Sequence, residues 1–210
     1  MKSIFITLSF TFTCFFATAQ FFEGKVVYHN TFKSKTPSLT NEQMTSMLGD
    51  VQNWYIKDGE YKSETNGTFA LWQLYINNEN KLYSKIASSE AILYNDAGAN
   101  IDTISNVEIH KGAISILGYI CDELVWTSKA GTAKYYFNSK LPINSKLFVN
   151  HKFGDWYAYL SKANAVPLKM ILETPQMTME SIAIEVKSMK LNKAMFTLPM
   201  NAKTMKSPYQ

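Results

Sequence analysis

The segment YIKDGEYK (55–62) constrains the fold most. Two alternating runs flank Asp58-Gly59, the kind of pair a tight type I′ turn demands, because both central residues sit at positive φ. The same punctuation recurs along the chain. LYINNENKLY turns through Asn77 to Asn80, VWTSKAGTAKYYF turns near Gly131, and YLSKANAVPLK turns near Asn164. The runs between are rich in Tyr, Trp, Phe, Ile and Val, which suit a pleated, half-buried surface. Short strands joined by local turns build an antiparallel sheet of consecutive hairpins.

Two segments depart from this pattern. SLTNEQMTSMLGD offers Thr40 as N-cap with Gln43 three residues on, a capping box. Met44, Met47 and Leu48 then share a helix face and Gly49 supplies the stop. SSEAILYNDAG is read as a second, weaker helical segment. Each helix is expected to lie across a sheet face. In PLKMILE, Leu168, Met170 and Leu172 point one way, whereas the apolar phase slips within MTMESIAIEV, which predicts a bulge near Glu180-Ser181. ISILGYICDELVW places Ile114, Ile116 and Ile120 on one face and Leu117, Tyr119 and Cys121 on the other. It reads as a central strand covered on both sides, with Gly118 marking a bend or a close approach. The fold class expected is mainly β: a curved antiparallel sheet, or half-open β-barrel, with one or two covering helices around an apolar interior.

MKSIFITLSFTFTCFFATAQ carries a basic start at Lys2, an apolar stretch from Ile4 to Phe16 and the small-residue site Ala17-Thr18-Ala19. Residues 1–19 therefore read as a secretory signal peptide, too short to span a membrane. The rival, lipidation at Cys14, needs small residues before the cysteine, and FTFT lacks them. Residues 20–210 suit a single domain. The expected location is exported: periplasmic, outer-membrane-associated or secreted. Export leaves Cys121 without an intramolecular partner, and an unpaired thiol survives oxidising conditions when buried. Its neighbour Asp122 raises rather than lowers its pKa, so Cys121 is read as a core thiol.

All 21 basic residues are lysine. Without arginine or a basic cluster, the chain has no electrostatic footprint for nucleic acid, and membrane contact is at most peripheral.

Several ordered motifs then carry a resemblance. FEGKVVYHNTF opens with a G-x-(V/I)-x-Y strand and ILGYICDELVW carries (I/L)-x-G-Y-x-C. KYYFNSKLPIN follows, VPLKMILE gives V-P-L-K-x-x-L-E, and KAMFTLPMNAK closes with F-x-L-P. Over roughly Phe22 to Lys203 the chain resembles a family of secreted Gram-negative domains without an assigned activity, related to the GLPGLI-type proteins and similar in fold to the LolA-like lipoprotein carriers. That resemblance implies a half-open β-barrel lidded by helices, with a cavity for a lipid or acyl chain. Carriers of that kind close their lid through arginine, which this chain lacks, so a general apolar-ligand binder is the safer expectation. A shared fold does not in itself confer a function.

Catalytic signatures are sparse. No G-x-S-x-G is present, and Ser115 simply falls on a strand. His29, His110 and His151 show no metal-binding spacing. Asp122 and Glu123 are adjacent on a strand and point to opposite faces, and Asp155 sits in a turn beside Gly154. The chain is read as non-enzymatic, with no cofactor and no metal; an acid–base role would need His110 or His151 to meet an acid. Asp102-Thr103-Ile104 matches a short O-glycosylation pattern and is read as plain loop.

Candidate ligand-lining residues are Trp72, Tyr75, Trp126, Tyr136, Trp156 and Tyr159, all on predicted strands, with Met170, Met177 and Met179. Strand aromatics serve either as core partners or as ligand contacts. The methionines serve either as adaptable liners or as core filling. The expected function is reversible binding of a lipid, acyl chain or other apolar small molecule. Lysine stems at the rim would meet its head group. The alternative is a structural or interaction module with a fully packed interior, engaging an envelope protein through a strand edge or aromatic patch.

Overall fold

The computed structural model describes residues 20–99 and 102–208; the signal-peptide reading of 1–19, Cys14 included, lies outside them. The described residues are mainly β, a curved twelve-stranded sheet that is not closed, with two α-helices. The strands are β1 (Gly24–Ser34), β2 (Val51–Lys57), β3 (Glu60–Thr65), β4 (Ala70–Ile76), β5 (Lys81–Ile86) and β6 (Ile92–Asp96). They continue as β7 (Ser105–Ile116), β8 (Tyr119–Thr127), β9 (Thr132–Pro142), β10 (Ala165–Glu173), β11 (Met177–Ser188) and β12 (Thr204–Lys206). The helices are α1 (Asn41–Leu48) and α2 (Trp156–Ala163).

The spatial order is β12-β6-β5-β4-β3-β2-β1-β11-β10-β9-β8-β7. Hairpins account for most of it. Only β12 runs parallel to its neighbour, β6, and β1 closes the middle of the sheet by pairing with β11. The turn chemistry behaves as its residues require: Asp58 and Gly59 have φ of 46° and 83°, and Asn80 at 48° ends a 3-10 turn between β4 and β5.

Strand alternation sets the faces. On β1, Val26, Tyr28, Asn30 and Phe32 are buried while His29, Thr31 and Lys33 are exposed. The inner face carries the main core, where Trp54 and Tyr75 of the sheet join Phe148 from the turns before α2 and Tyr159 of α2 itself. A second cluster covers the outer face of β4 to β6, where Leu74, Ile76, Tyr83 and Ile92 meet Leu191 and Phe196 from the segment after β11.

Helix α1 forms as expected. Gln43 N–H donates to Thr40 Oγ1 at 3.2 Å and Thr40 N–H to Gln43 Oε1 at 2.8 Å, and Met44 is buried. Gly49 ends the helix at φ 88°, against the β3–β4 loop: a Cβ there would stand 2.6 Å from Gly67 N.

Four expectations require correction. SSEAILYNDAG holds strand β6 rather than a helix, because Ile92 packs in the outer cluster while Leu93 lines a cavity on the inner side, so each face is buried. ISILGYICDELVW is no single central strand. Leu117 and Gly118, both at positive φ (50° and 81°), turn it into the β7–β8 hairpin at the sheet edge, leaving Ile120 68% exposed. The aromatic run at Trp156 to Tyr159 is helix α2 rather than strand, since Gly154 and Asp155 at positive φ redirect the chain and Tyr159, Leu160 and Ala163 form one buried face. The bulge in β11 lies at Ile184, not at Glu180-Ser181: Val27 pairs with Glu185 and Tyr28 with Ala183, which leaves Ile184 unpaired and outward.

Candidate functional site

Between the inner face of β1–β6 and the α1 lid lies a half-open cavity of about 470 Å³. Its walls are apolar: Phe32 from β1, Leu48 from α1, Phe69 from the β3–β4 loop, Ile86 from β5, and Met177 and Met179 from β11. Its polar lining is Asn30, Gln52, Ser63, Gln73, Ser84 and Asn95, of which Asn30 and Ser63 are buried and Gln73 is exposed. Cross-strand register places Ser63 opposite Gln73 and Gln73 opposite Ser84, and Gln73 Nε2 donates to Ser84 Oγ at 3.4 Å. No carboxylate lines the cavity among the described residues. Its one lysine, Lys85, donates to the carbonyls of Ser89 (2.5 Å) and Glu90 (3.0 Å). The volume falls within the range of small-molecule sites.

The lid is tied to the polar lining. Asn30 Nδ2 donates to Gly49 O at 3.2 Å while Asn30 Oδ1 accepts from Ser181 Oγ at 2.6 Å, which satisfies a buried carboxamide on both sides. Thr68 N–H and Phe69 N–H donate to the carbonyls of Ser46 and Met47, so α1 and the β3–β4 loop form one hydrogen-bonded cover.

The candidate liners divide. Met177 and Met179 line the cavity. Trp72 borders it, although its ring packs in the outer cluster. Trp156 and Met170 line a smaller hollow of about 140 Å³ with Tyr28, Trp54 and Tyr61; Gln52 borders both spaces. The other four line neither space. Tyr75 is fully buried, its ring 4.2 Å from that of His151, and its hydroxyl donates to Asn80 Oδ1 at 3.0 Å. Trp126 packs on Tyr135 at 5.0 Å, and Tyr159 stacks on Tyr135 at 4.5 Å while donating to Ala165 O. Tyr136 points to the opposite face from Tyr135 and donates to Glu123 Oε1 at 2.6 Å. Aromatics fill this interior because flat rings pack against each other at little entropic cost.

Sequence reasoning overlooked the polar lining. The signal is a polar residue on the buried phase of a strand: Asn30 after Val26 and Tyr28, and Ser63 in EYKSET.

Two histidines have defined partners. His110 Nδ1 lies 2.7 Å from Glu123 and Nε2 3.2 Å from Glu108, so it does meet an acid. These carboxylates, Glu123 foremost, raise its pKa and favour the imidazolium, and its partners among the described residues include no serine, threonine or cysteine. His151 is buried, with Nε2 2.8 Å from the Tyr61 hydroxyl, and desolvation lowers its pKa to about 4. Cys121 is fully buried and burial raises its pKa, the properties of a core thiol. Thr103 is exposed in the loop before β7.

A groove of about 510 Å³ on the outer side is lined by Asp58, Glu60, Glu79 and Lys193 together with Ile76, Leu147, Phe196 and Leu198. The free edge strand β7 is broken by register shifts and by Asn106 and Gly112 at positive φ, the devices that blunt an edge against pairing. Among the described residues no helix is long and apolar enough to cross a membrane, and no group of three His, Cys, Asp or Glu side chains is arranged to hold a metal ion.

The fold and site thus define a class: an unclosed β-sheet with a helix-lidded cavity. No family model and no curated protein matches the chain. Among solved structures, that of PNGF-II is similar over 89% of this chain and 32% of its own, at 12% identity and a TM-score of 0.47. This chain spans about a third of that protein's length, and no activity is carried across from it.

Proposed function

We propose that the protein binds an apolar or amphipathic small molecule reversibly in the α1-lidded cavity, without catalysis, in the cell envelope to which residues 1–19 direct it. One observation carries the reading: a space of about 470 Å³, walled by Phe32, Leu48, Phe69, Ile86, Met177 and Met179, that the protein's own side chains leave unfilled. Adaptable methionine walls suit a flexible chain. The motifs that resemble those of the GLPGLI-related secreted family, whose fold is similar to that of the half-open-barrel carriers, support the same reading.

Apolar burial drives such binding by about 0.8 kcal/mol per methylene, roughly fourfold in Kd. Alkyl probes of increasing length, displacing a fluorescent fatty acid, are expected to gain about that factor per carbon until the cavity fills. Met179→Trp, which occupies the space, is expected to abolish the displacement. No uptake of any probe, or uptake unchanged in Met179→Trp, overturns the reading.

A further inference from the structure

One end of the sheet gathers apolar side chains that nothing covers. There the β7–β8 turn, the end of β9, the end of β11 and the entry to β1 stand side by side. Leu117 and Ile120 are exposed at the turn, and a Cβ added at Gly118 would meet nothing within 4 Å, so the turn projects into solvent. Asn138 ties it to β9: Nδ2 donates to Ile120 O at 2.5 Å, while Oδ1 accepts from Lys140 N–H at 2.9 Å. Lys140 in turn lines a hollow with Phe21, Met189 and Lys190, and Phe22 N–H donates to Pro142 O at 2.7 Å. Phe21 and Met189 are exposed as well. From β8 to β11 is three strand spacings, roughly 15 Å, so the four apolar groups form one patch.

The patch is net positive. Lys140, Lys187 and Lys190 are exposed on it. Among the described residues the one carboxylate lining the hollow is Glu23, already engaged by Lys57, Lys190 and Leu191 N–H. Nearby, Asp122 is paired with Lys111 at 2.7 Å, and Asp58, in the adjoining hollow, stands 3.9 Å from Lys57. Apolar tips among lysines fit an anionic lipid surface, whose phosphates meet the ammonium groups while the tips enter the acyl boundary. A second copy fits less well, because a two-fold contact through this patch sets Lys140 and Lys190 against their own counterparts.

We propose that this end of the sheet is a peripheral docking surface for an anionic bilayer, with Phe21, Leu117, Ile120 and Met189 inserted and Lys140, Lys187 and Lys190 on the headgroups. It lies at the start of β1 and the end of β11, whereas the lidded cavity lies at the end of β1 and the start of β11. Docking therefore leaves the cavity clear of the bilayer.

Co-sedimentation of the mature protein with lipid vesicles tests this. Vesicles of phosphatidylglycerol mixed with phosphatidylcholine are expected to carry the protein down, and phosphatidylcholine alone to bind it at least about ten-fold more weakly. Lys140→Gln and Lys187→Gln are each expected to weaken binding about five-fold, the factor for about 1 kcal/mol per lysine at the surface. Ile120→Ser is expected to weaken it about ten-fold; should that variant not fold, Leu117→Ser carries the same prediction. Met179→Trp is expected to sediment as the native protein does, because the cavity takes no part. No binding to the anionic vesicles, or binding unchanged in Ile120→Ser and Lys140→Gln, overturns the docking surface and leaves the cavity reading intact. Self-association that Ile120→Ser dissolves, without vesicle binding, overturns it in favour of a second copy. Loss of sedimentation in folded Met179→Trp overturns it too, since the lipid is then held in the cavity.

Discussion

His151 makes the folded protein acid-sensitive by an amount the structure sets. The ring is 1% exposed, packed at a tilt against Tyr75, and bonded through Nε2 to the Tyr61 hydroxyl. Among the described residues no carboxylate contacts it to support a positive charge, and burial lowers its pKa from 6.5 to about 4. The unfolded chain then takes up a proton near pH 6.5 that the folded chain refuses until about pH 4. Stability is complete above the higher value, falls through the window between them, and loses no more below it. At about 1.4 kcal/mol per pKa unit the whole loss is about 3 kcal/mol, of which about 2.5 kcal/mol is reached by pH 4.5. His110 titrates in the opposite sense, since its folded pKa is raised by Glu123 and Glu108, so total stability alone does not isolate the effect. The assay is urea unfolding of native protein and His151→Phe at pH 7.5 and pH 4.5. The variant leaves the Tyr61 hydroxyl without its partner at both pH values, a constant cost. It is therefore expected to lose about 2.5 kcal/mol less than the native protein on acidification. Equal losses in the two proteins refute the reasoning.

Gly67→Ala drives a Cβ to 2.5 Å from the Met47 carbonyl oxygen and is expected to cost about 1–3 kcal/mol in thermal melts, with faster proteolysis around α1. Glu23 accepts from Lys57 Nζ (2.7 Å), Lys190 Nζ (3.0 Å) and Leu191 N–H (2.7 Å), and these contacts, Lys57 first, hold its pKa down to about 2. Its stabilisation is present above pH 4.5 and is lost as pH falls toward 2. Glu23→Gln should lower stability by about 1–3 kcal/mol at neutral pH, measured by urea unfolding, with the difference disappearing in strong acid. Cys121 should react with a thiol reagent only on unfolding; prompt labelling of the native protein contradicts its burial.

The hairpins and the α1 capping box were legible because their determinants are local: Asp58-Gly59 and Thr40–Gln43 act through their own backbone. Helix α2 was hidden by its aromatics, which favour strands as readily as helix faces. The spacing of Trp156, Tyr159, Leu160 and Ala163 was its available signature. The β7–β8 turn was hidden because Leu117 at positive φ is an uncommon use of a bulky residue, and Gly118 alone cannot announce a reversal. The cavity was legible only in its methionines. Whether an aromatic fills or lines depends on distant partners: α2 brings Tyr159 onto Tyr135, and Tyr75 meets His151 across many residues of intervening chain. Asn30, Ser63 and Asn95 belong to one site because β1, β3 and β6 curve around a common space, which is a property of the sheet and not of any segment.

Native mass spectrometry of the mature protein recovered from its own cells without delipidation tests the binding account most directly. The account predicts a small-molecule adduct that organic extraction removes, that re-forms on mixing with an amphiphile, and that is missing from Met179→Trp. Recovery of the bare polypeptide mass, with no adduct formed when amphiphile is added back, contradicts it.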